Sequence, residues 1–152
     1  MAIDDPEDVL ADSLESLYDH VPVTHSSAGT VFTYSCDGKG PAITLIIPDT
    51  QAANWSLHAT SIWTSSLYIA DHVADLQLDK YVALTKQESR PLRVLELGAG
   101  AGLPSILLAK LYLYVLVTCS DYPDPELIHT LSENAVRNDV KDRCRVVPYA
   151  WG

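Results

Sequence analysis

Residues Arg93 to Ser105, RVLELGAGAGLPS, constrain the fold of this chain more than any other stretch. Val94, Leu95 and Leu97 form an aliphatic run that leads into glycines at 98, 100 and 102, and Pro104 follows at once. The order reads as strand, tight turn and helix start. Glycine lets the backbone pass close to a ligand because no Cβ stands in the way, and a helix opening at Pro104 directs its positive end at the same point. A dinucleotide fingerprint requires a third glycine where Leu103 stands, which argues against an NAD-dependent oxidoreductase.

The rest of the chain alternates in the same way. Strands are expected at Leu92–Leu97, Tyr114–Cys119 and Arg145–Tyr149, with helices at Pro104–Leu111 and Pro125–Asn138 between them. That order implies an α/β unit with a parallel sheet. Upstream, Thr30–Ser35 and Ala42–Ile47 are β-rich runs around Asp37-Gly38, a hairpin signal, and the hairpin is expected to pad one side of the glycine-rich unit. Asp5–His20 reads as a short acidic helix opened by Pro6, and residues 48–55 as a loop. His58–Leu78 has helical period, with Ile62, Ile69, Val73 and Leu76 on a stripe that should be buried. Asp79–Pro91 reads as a polar linker. The boundary between an N-terminal extension, 1–55, and the α/β part, 56–152, follows from this order.

Composition excludes several classes. Net charge is −10, with twenty acidic and ten basic residues, which argues against binding a nucleic-acid backbone; it is compatible with a basic protein partner, and a solubilising acidic surface is the simpler reading. Cys36, Cys119 and Cys144 are far apart and odd in number, so neither a disulfide framework nor a zinc site is expected, and no other metal site is. Reduced thiols and a start without a signal-like segment point to the cytoplasm. The most apolar stretch, Leu103–Cys119, carries Lys110 and parses as helix then strand rather than as a membrane span.

The candidate site residues converge at carboxyl strand ends, where open α/β sheets bind ligands. Asp121 ends the second strand about two dozen residues beyond the turn, where a carboxylate can take both ribose hydroxyls of an adenosine ligand. Asp124 already supplies the cap for the helix at Pro125, which leaves Asp121 spare. Tyr122 either lies against an adenine or is an exposed turn residue. Glu96 is placed to receive an ammonium group.

The pattern E-x-G-x-G-x-G, formed by Glu96, Gly98, Gly100 and Gly102, resembles the first motif of the seven-strand S-adenosylmethionine-dependent methyltransferases. The runs RVLELGAGAGLPSILLAK, VTCSDYPDPELIHTLSENAVRND and VVPYAWG are similar to the family 16 methyltransferases, closest to their fungal branch once labelled nicotinamide N-methyltransferase. D-Y-P-D-P and the closing W-G are the specific signals, and the resemblance covers about Ser56 to Gly152. It implies a Rossmann-like seven-strand methyltransferase fold, here its N-terminal, cofactor-binding half preceded by a helix and a β-hairpin. It implies S-adenosyl-L-methionine as cofactor, held by Glu96, Gly98, Ala99, Gly100, Gly102, Asp121 and Tyr122. Trp63 is implied to border the methionine end and Trp151 the adenine, although Trp63 is equally placed to be a core anchor. The implied acceptor is a protein amine, N-terminal or lysine, with a translation elongation factor among the substrates of that branch. A small heteroaromatic amine such as nicotinamide is the alternative acceptor, and a non-catalytic cofactor-binding module is the alternative class. The join LAKLYLYVLV departs from the family's usual Gly-Ala turn. Nothing in the sequence can be a fourth core strand, so no catalytic residue is assigned.

Overall fold

A computed structural model of the chain describes residues 25–35 and 40–150. The helix expected at Asp5–His20, the Asp37-Gly38 turn, Cys36 and Trp151 lie outside the described residues. Strands β3 (Leu92–Leu97), β4 (Val115–Asp121) and β5 (Cys144–Pro148) form one parallel sheet in the order β3-β4-β5. Helices α3 (Leu103–Leu111) and α4 (Pro125–Arg137) join them and pack on one face. Both helices match the sequence reading to within a residue. Helix α3 is apolar nearly all round and is buried from Leu103 to Ala109, as a central helix should be.

On the covered face of the sheet, Val115, Val117 and Cys119 meet Leu103, Ile106 and Leu107 of α3. Cys119 and Cys144 are free, buried thiols whose sulfur atoms lie 3.4 Å apart. The neighbouring Cys144 and burial together push the Cys119 thiol up and keep it protonated.

The hairpin forms as expected, with β1 (Val31–Tyr34) antiparallel to β2 (Ile43–Ile46). It is a separate sheet and packs on α3 and α4. Two buried asparagines one helical turn apart bind it there. Asn134 accepts from the Ile46 amide at 2.8 Å and donates to its carbonyl at 2.8 Å, and Asn138 does the same for Thr44 at 3.1 and 2.8 Å. Their carboxamides occupy positions that a third strand's peptide groups would take. Asp124 adds a further tie. It caps α4 through the amides of Glu126 and Leu127 and also accepts from the Gln51 amide and the Asn54 side chain. Burial raises the Asp124 pKa, but these four donors outweigh it and hold the carboxyl below its ordinary value.

The stretch after the hairpin departs from the sequence reading. Residues 58–78 are not one helix: a 3-10 turn covers Ala52–Leu57, α1 covers Thr64–Asp71 and a second 3-10 turn covers Val73–Leu76. Ile62 is taken out of helical bonding because its amide donates to the Ser26 hydroxyl and its carbonyl accepts from the His25 amide. The expected buried stripe is only partly realised, with Ile62 and Ala70 buried and Ile69 and Leu76 exposed. The expected linker 79–91 is mostly helix, α2 (Leu78–Gln87). Leu78, Val82 and Thr85 share its inner face, and Asp79 and Lys86 stand at the ends that the helix dipole favours.

Candidate cofactor site

The turn between β3 and α3 is built by left-handed glycines, Gly98, Gly100 and Gly102. They divide into two kinds. A Cβ on Gly98 or Gly100 would meet nothing within 4 Å, whereas one on Gly102 would stand 2.6 Å from Leu131 Cδ1. Gly102 therefore serves close packing of α3 on α4, and Gly98 and Gly100 face open space.

That space is a cavity of about 210 Å³ between the turn and the segment before α1. Gly98, Ala99, Gly100, Ala101 and Leu103 form one wall, Asp121 stands at the end of β4, and Trp63 with His58, Ser61, Ser65 and Ser66 forms the opposite wall. Trp63 is fixed at the start of α1, where its indole N–H donates to the His58 carbonyl at 2.8 Å and the His58 ring meets it edge-on. Of the residues singled out from the sequence, Trp63, Gly98, Ala99, Gly100 and Asp121 meet at this cavity. Glu96, Gly102 and Tyr122 are not among its lining residues. Sequence reasoning missed His58 and the serines, and the polar run Ser61 to Ser66 directly around Trp63 was the available signal.

The turn's amides do not form an open anion cradle. The Ala99 amide donates to Ser120 O at 3.1 Å, the Gly100 amide to Asp121 Oδ2 at 2.6 Å and the Gly102 amide to Ala99 O at 2.8 Å. The helix start is likewise occupied: Glu96 accepts from both the amide, at 3.1 Å, and the hydroxyl of Ser105, and so caps α3 where Gly102 has no side chain to do it. The expected approach of these donors to a ligand is thus replaced by backbone carbonyls at Ala99 and Gly102 and by two carboxylates of the chain itself at Gly100 and Ser105. Among the described residues no lysine or arginine lines the cavity. Such a site disfavours phosphate and suits a ligand with hydroxyls and a cationic centre.

Both carboxylates are shaped by the fold. Asp121 is only 8% exposed, and its other oxygen accepts from the Tyr122 amide at 2.7 Å. Each oxygen keeps a lone pair, since a carboxylate offers about four acceptor positions. Burial raises the Glu96 pKa to about 7, against the two Ser105 hydrogen bonds that lower it and with the Asp121 charge reinforcing it.

A parallel α/β unit with a left-handed glycine turn, an acid on each of the two neighbouring strands and a cavity whose described lining holds no lysine or arginine fits a Rossmann-like methyltransferase fold better than a dinucleotide-binding one. Comparison with known proteins agrees. A family model described as lysine methyltransferase matches residues 43–152, and the chain belongs to this family, the family 16 methyltransferases. Its curated relatives include proteins named protein N-terminal and lysine N-methyltransferase EFM7. The one from Schizosaccharomyces pombe is 37% identical over 98 residues, 64% of this chain and 34% of that protein. The one from Gibberella zeae is 31% identical over 149 residues, 93% of this chain and 50% of that protein. The one from Debaryomyces hansenii is 40% identical over 93 residues, 60% of this chain and 33% of that protein. The chain thus spans half or less of the length of these relatives.

Proposed function

We propose that this chain is the S-adenosylmethionine-binding part of a protein N-methyltransferase, acting on an N-terminal or lysine amine. The observation that carries the reading is the cavity in which Asp121, the open glycines Gly98 and Gly100 and the aromatic wall of Trp63 face one another with no basic residue among them. The residues fit the cofactor: the free lone pairs of Asp121 suit ribose hydroxyls, and Trp63 offers a flat apolar surface to a sulfonium. A volume of about 210 Å³ is below the roughly 300–1,000 Å³ of ordinary ligand sites, so the cavity encloses one end of the ligand and the remainder extends over the carboxyl end of β4, toward Tyr122.

When bound, S-adenosylmethionine supplies an electrophilic methyl group. An acceptor amine would have to be presented to that methyl group as the free base, and positioning dominates such chemistry. Glu96 acts indirectly, by holding the first turn of α3. The names of the relatives support a protein acceptor and the net charge of −10 a basic one, with a translation elongation factor as the specific proposal and the cytoplasm as the proposed location. Among the described residues no helix is long and apolar enough to cross a membrane.

Calorimetry with S-adenosylhomocysteine and NADH tests the cofactor reading. Binding of the first and not the second is expected. NADH binding as tight as that of S-adenosylhomocysteine would contradict it.

A further inference from the structure

We propose that His58 is the base that takes the proton of the acceptor amine, so that the amine meets the methyl donor as the free base; the inference rests on the cofactor reading of the cavity. A protein amine is an ammonium at neutral pH, since an N-terminal amine titrates at about 8 and a lysine at about 10.4. Its lone pair is then occupied by a proton, and a positioned base is the usual way to remove it. Among the described residues the cavity lining offers two side chains that can take a proton, Asp121 and His58. Asp121 is committed elsewhere. One of its oxygens accepts from the Gly100 amide at 2.6 Å, the other from the Tyr122 amide at 2.7 Å, and its remaining lone pairs are those that suit ribose. Ser61, Ser65 and Ser66 share the wall with His58, but their hydroxyls only donate or accept hydrogen bonds. Imidazole is the side chain whose charge ordinarily changes between about pH 5 and 8, which suits proton exchange with an amine.

The fold sets His58 beside the aromatic wall that the cofactor reading gives to the sulfonium. Its ring meets Trp63 edge-on, with centroids 6.2 Å apart and planes at 80°, and its carbonyl accepts the indole N–H at 2.8 Å. Its backbone is left-handed, with φ 49°, and the buried Ala59 and Ile62 pin the segment that follows. The two rings are therefore held as one unit. His58 is exposed at the rim of the cavity, which gives the proton a way out to solvent. One proton moves: the ammonium N–H bond breaks, its electron pair stays on the nitrogen, an imidazole nitrogen takes the proton, and the imidazolium hands it to water. Three other titratable groups stand near. Asp121 lies across the cavity, Glu96 is held by Ser105 at the start of α3, and the His25 ring lies 3.5 Å from Thr64 Oγ1, next to Trp63.

Calorimetry with sinefungin and S-adenosylhomocysteine tests this. Sinefungin carries a protonated amine where the methyl-bearing sulfonium would stand, and S-adenosylhomocysteine carries no charge there. The ratio of their dissociation constants therefore reads the reacting position and cancels effects common to both. In the wild type the ratio of sinefungin to S-adenosylhomocysteine should rise about tenfold or more from pH 8 to pH 6, because a protonated His58 repels the ammonium. In His58→Asn, whose side chain suits a left-handed backbone, the ratio should stay level, while His25→Asn should follow the wild type. Glu96, raised to about 7, titrates over the same window and acts on sinefungin in the same direction. A pH dependence that persists in His58→Asn thus belongs to Glu96 and overturns the proposal, as does a level ratio in the wild type. If His58→Asn binds neither ligand, nuclear magnetic resonance of the wild type decides: the His58 ring should keep its proton to a higher pH with S-adenosylhomocysteine bound than with sinefungin, and equal titration overturns the proposal. Binding of neither ligand by the wild type would remove the proposed function, and this inference with it.

Discussion

Glu96 and Asp121 each hold part of the glycine turn and helix start in place. Asp121 holds the Gly100 amide and so sets the shape of the glycine turn, while Glu96 caps α3 through Ser105. For Glu96 the sign of the pH dependence follows directly. Between 4.5, its ordinary value, and about 7, the folded protein keeps a proton that the unfolded chain has lost. Stability therefore falls as pH rises through that window, by at most about 3 kcal/mol. Glu96→Gln should flatten the fall and be the more stable form at pH 8, measured by urea unfolding at pH 5 and 8; equal pH dependence in both proteins would contradict the burial of this carboxyl. The glycines separate by a similar comparison. Gly102→Ala meets both a left-handed φ of 87° and Leu131, and should cost about 3 kcal/mol. Gly100→Ala meets only the backbone strain and should cost about 1–2 kcal/mol.

Between elements, the hairpin is held by side chains that mimic a strand. Replacing Asn134 by leucine leaves Ile46 N–H, Ile46 C=O and Ala101 C=O without that partner, and should destabilise the protein by about 2–4 kcal/mol in thermal unfolding. Strands β3 to β5 and helices α3 and α4 were legible in the sequence because each has a local signal: aliphatic runs, Pro104, Pro125 and the Asp124 cap. The break at Ile62 was not, since it depends on a bond to Ser26 thirty-six residues away. Helix α2 was legible in principle from Leu78, Val82 and Thr85, but its polarity and Pro91 suggested a linker. The pairing of Asn134 and Asn138 with β2 was invisible, because nothing local says which edge a buried carboxamide will meet. At the site, Gly98, Gly100, Asp121 and Trp63 could be read from spacing and resemblance. That Gly102 packs rather than lines the cavity depends on the approach of Leu131 from another helix.

At the scale of the whole molecule, α3 and α4 cover one face of the three-stranded sheet, and among the described residues β3 and β5 are both its edges. The hairpin does not relieve β3, since it pairs only within itself. The candidate cofactor cavity is lined by residues within 57–121. The most direct measurement is calorimetric titration of Met1–Gly152 with S-adenosylhomocysteine, beside an Asp121→Asn variant that keeps the side chain's size and removes its charge. The expected result is saturable binding by the wild type and a loss of about tenfold or more in the variant. Equal affinity of the two proteins, both folded by circular dichroism, would contradict the central role given to Asp121.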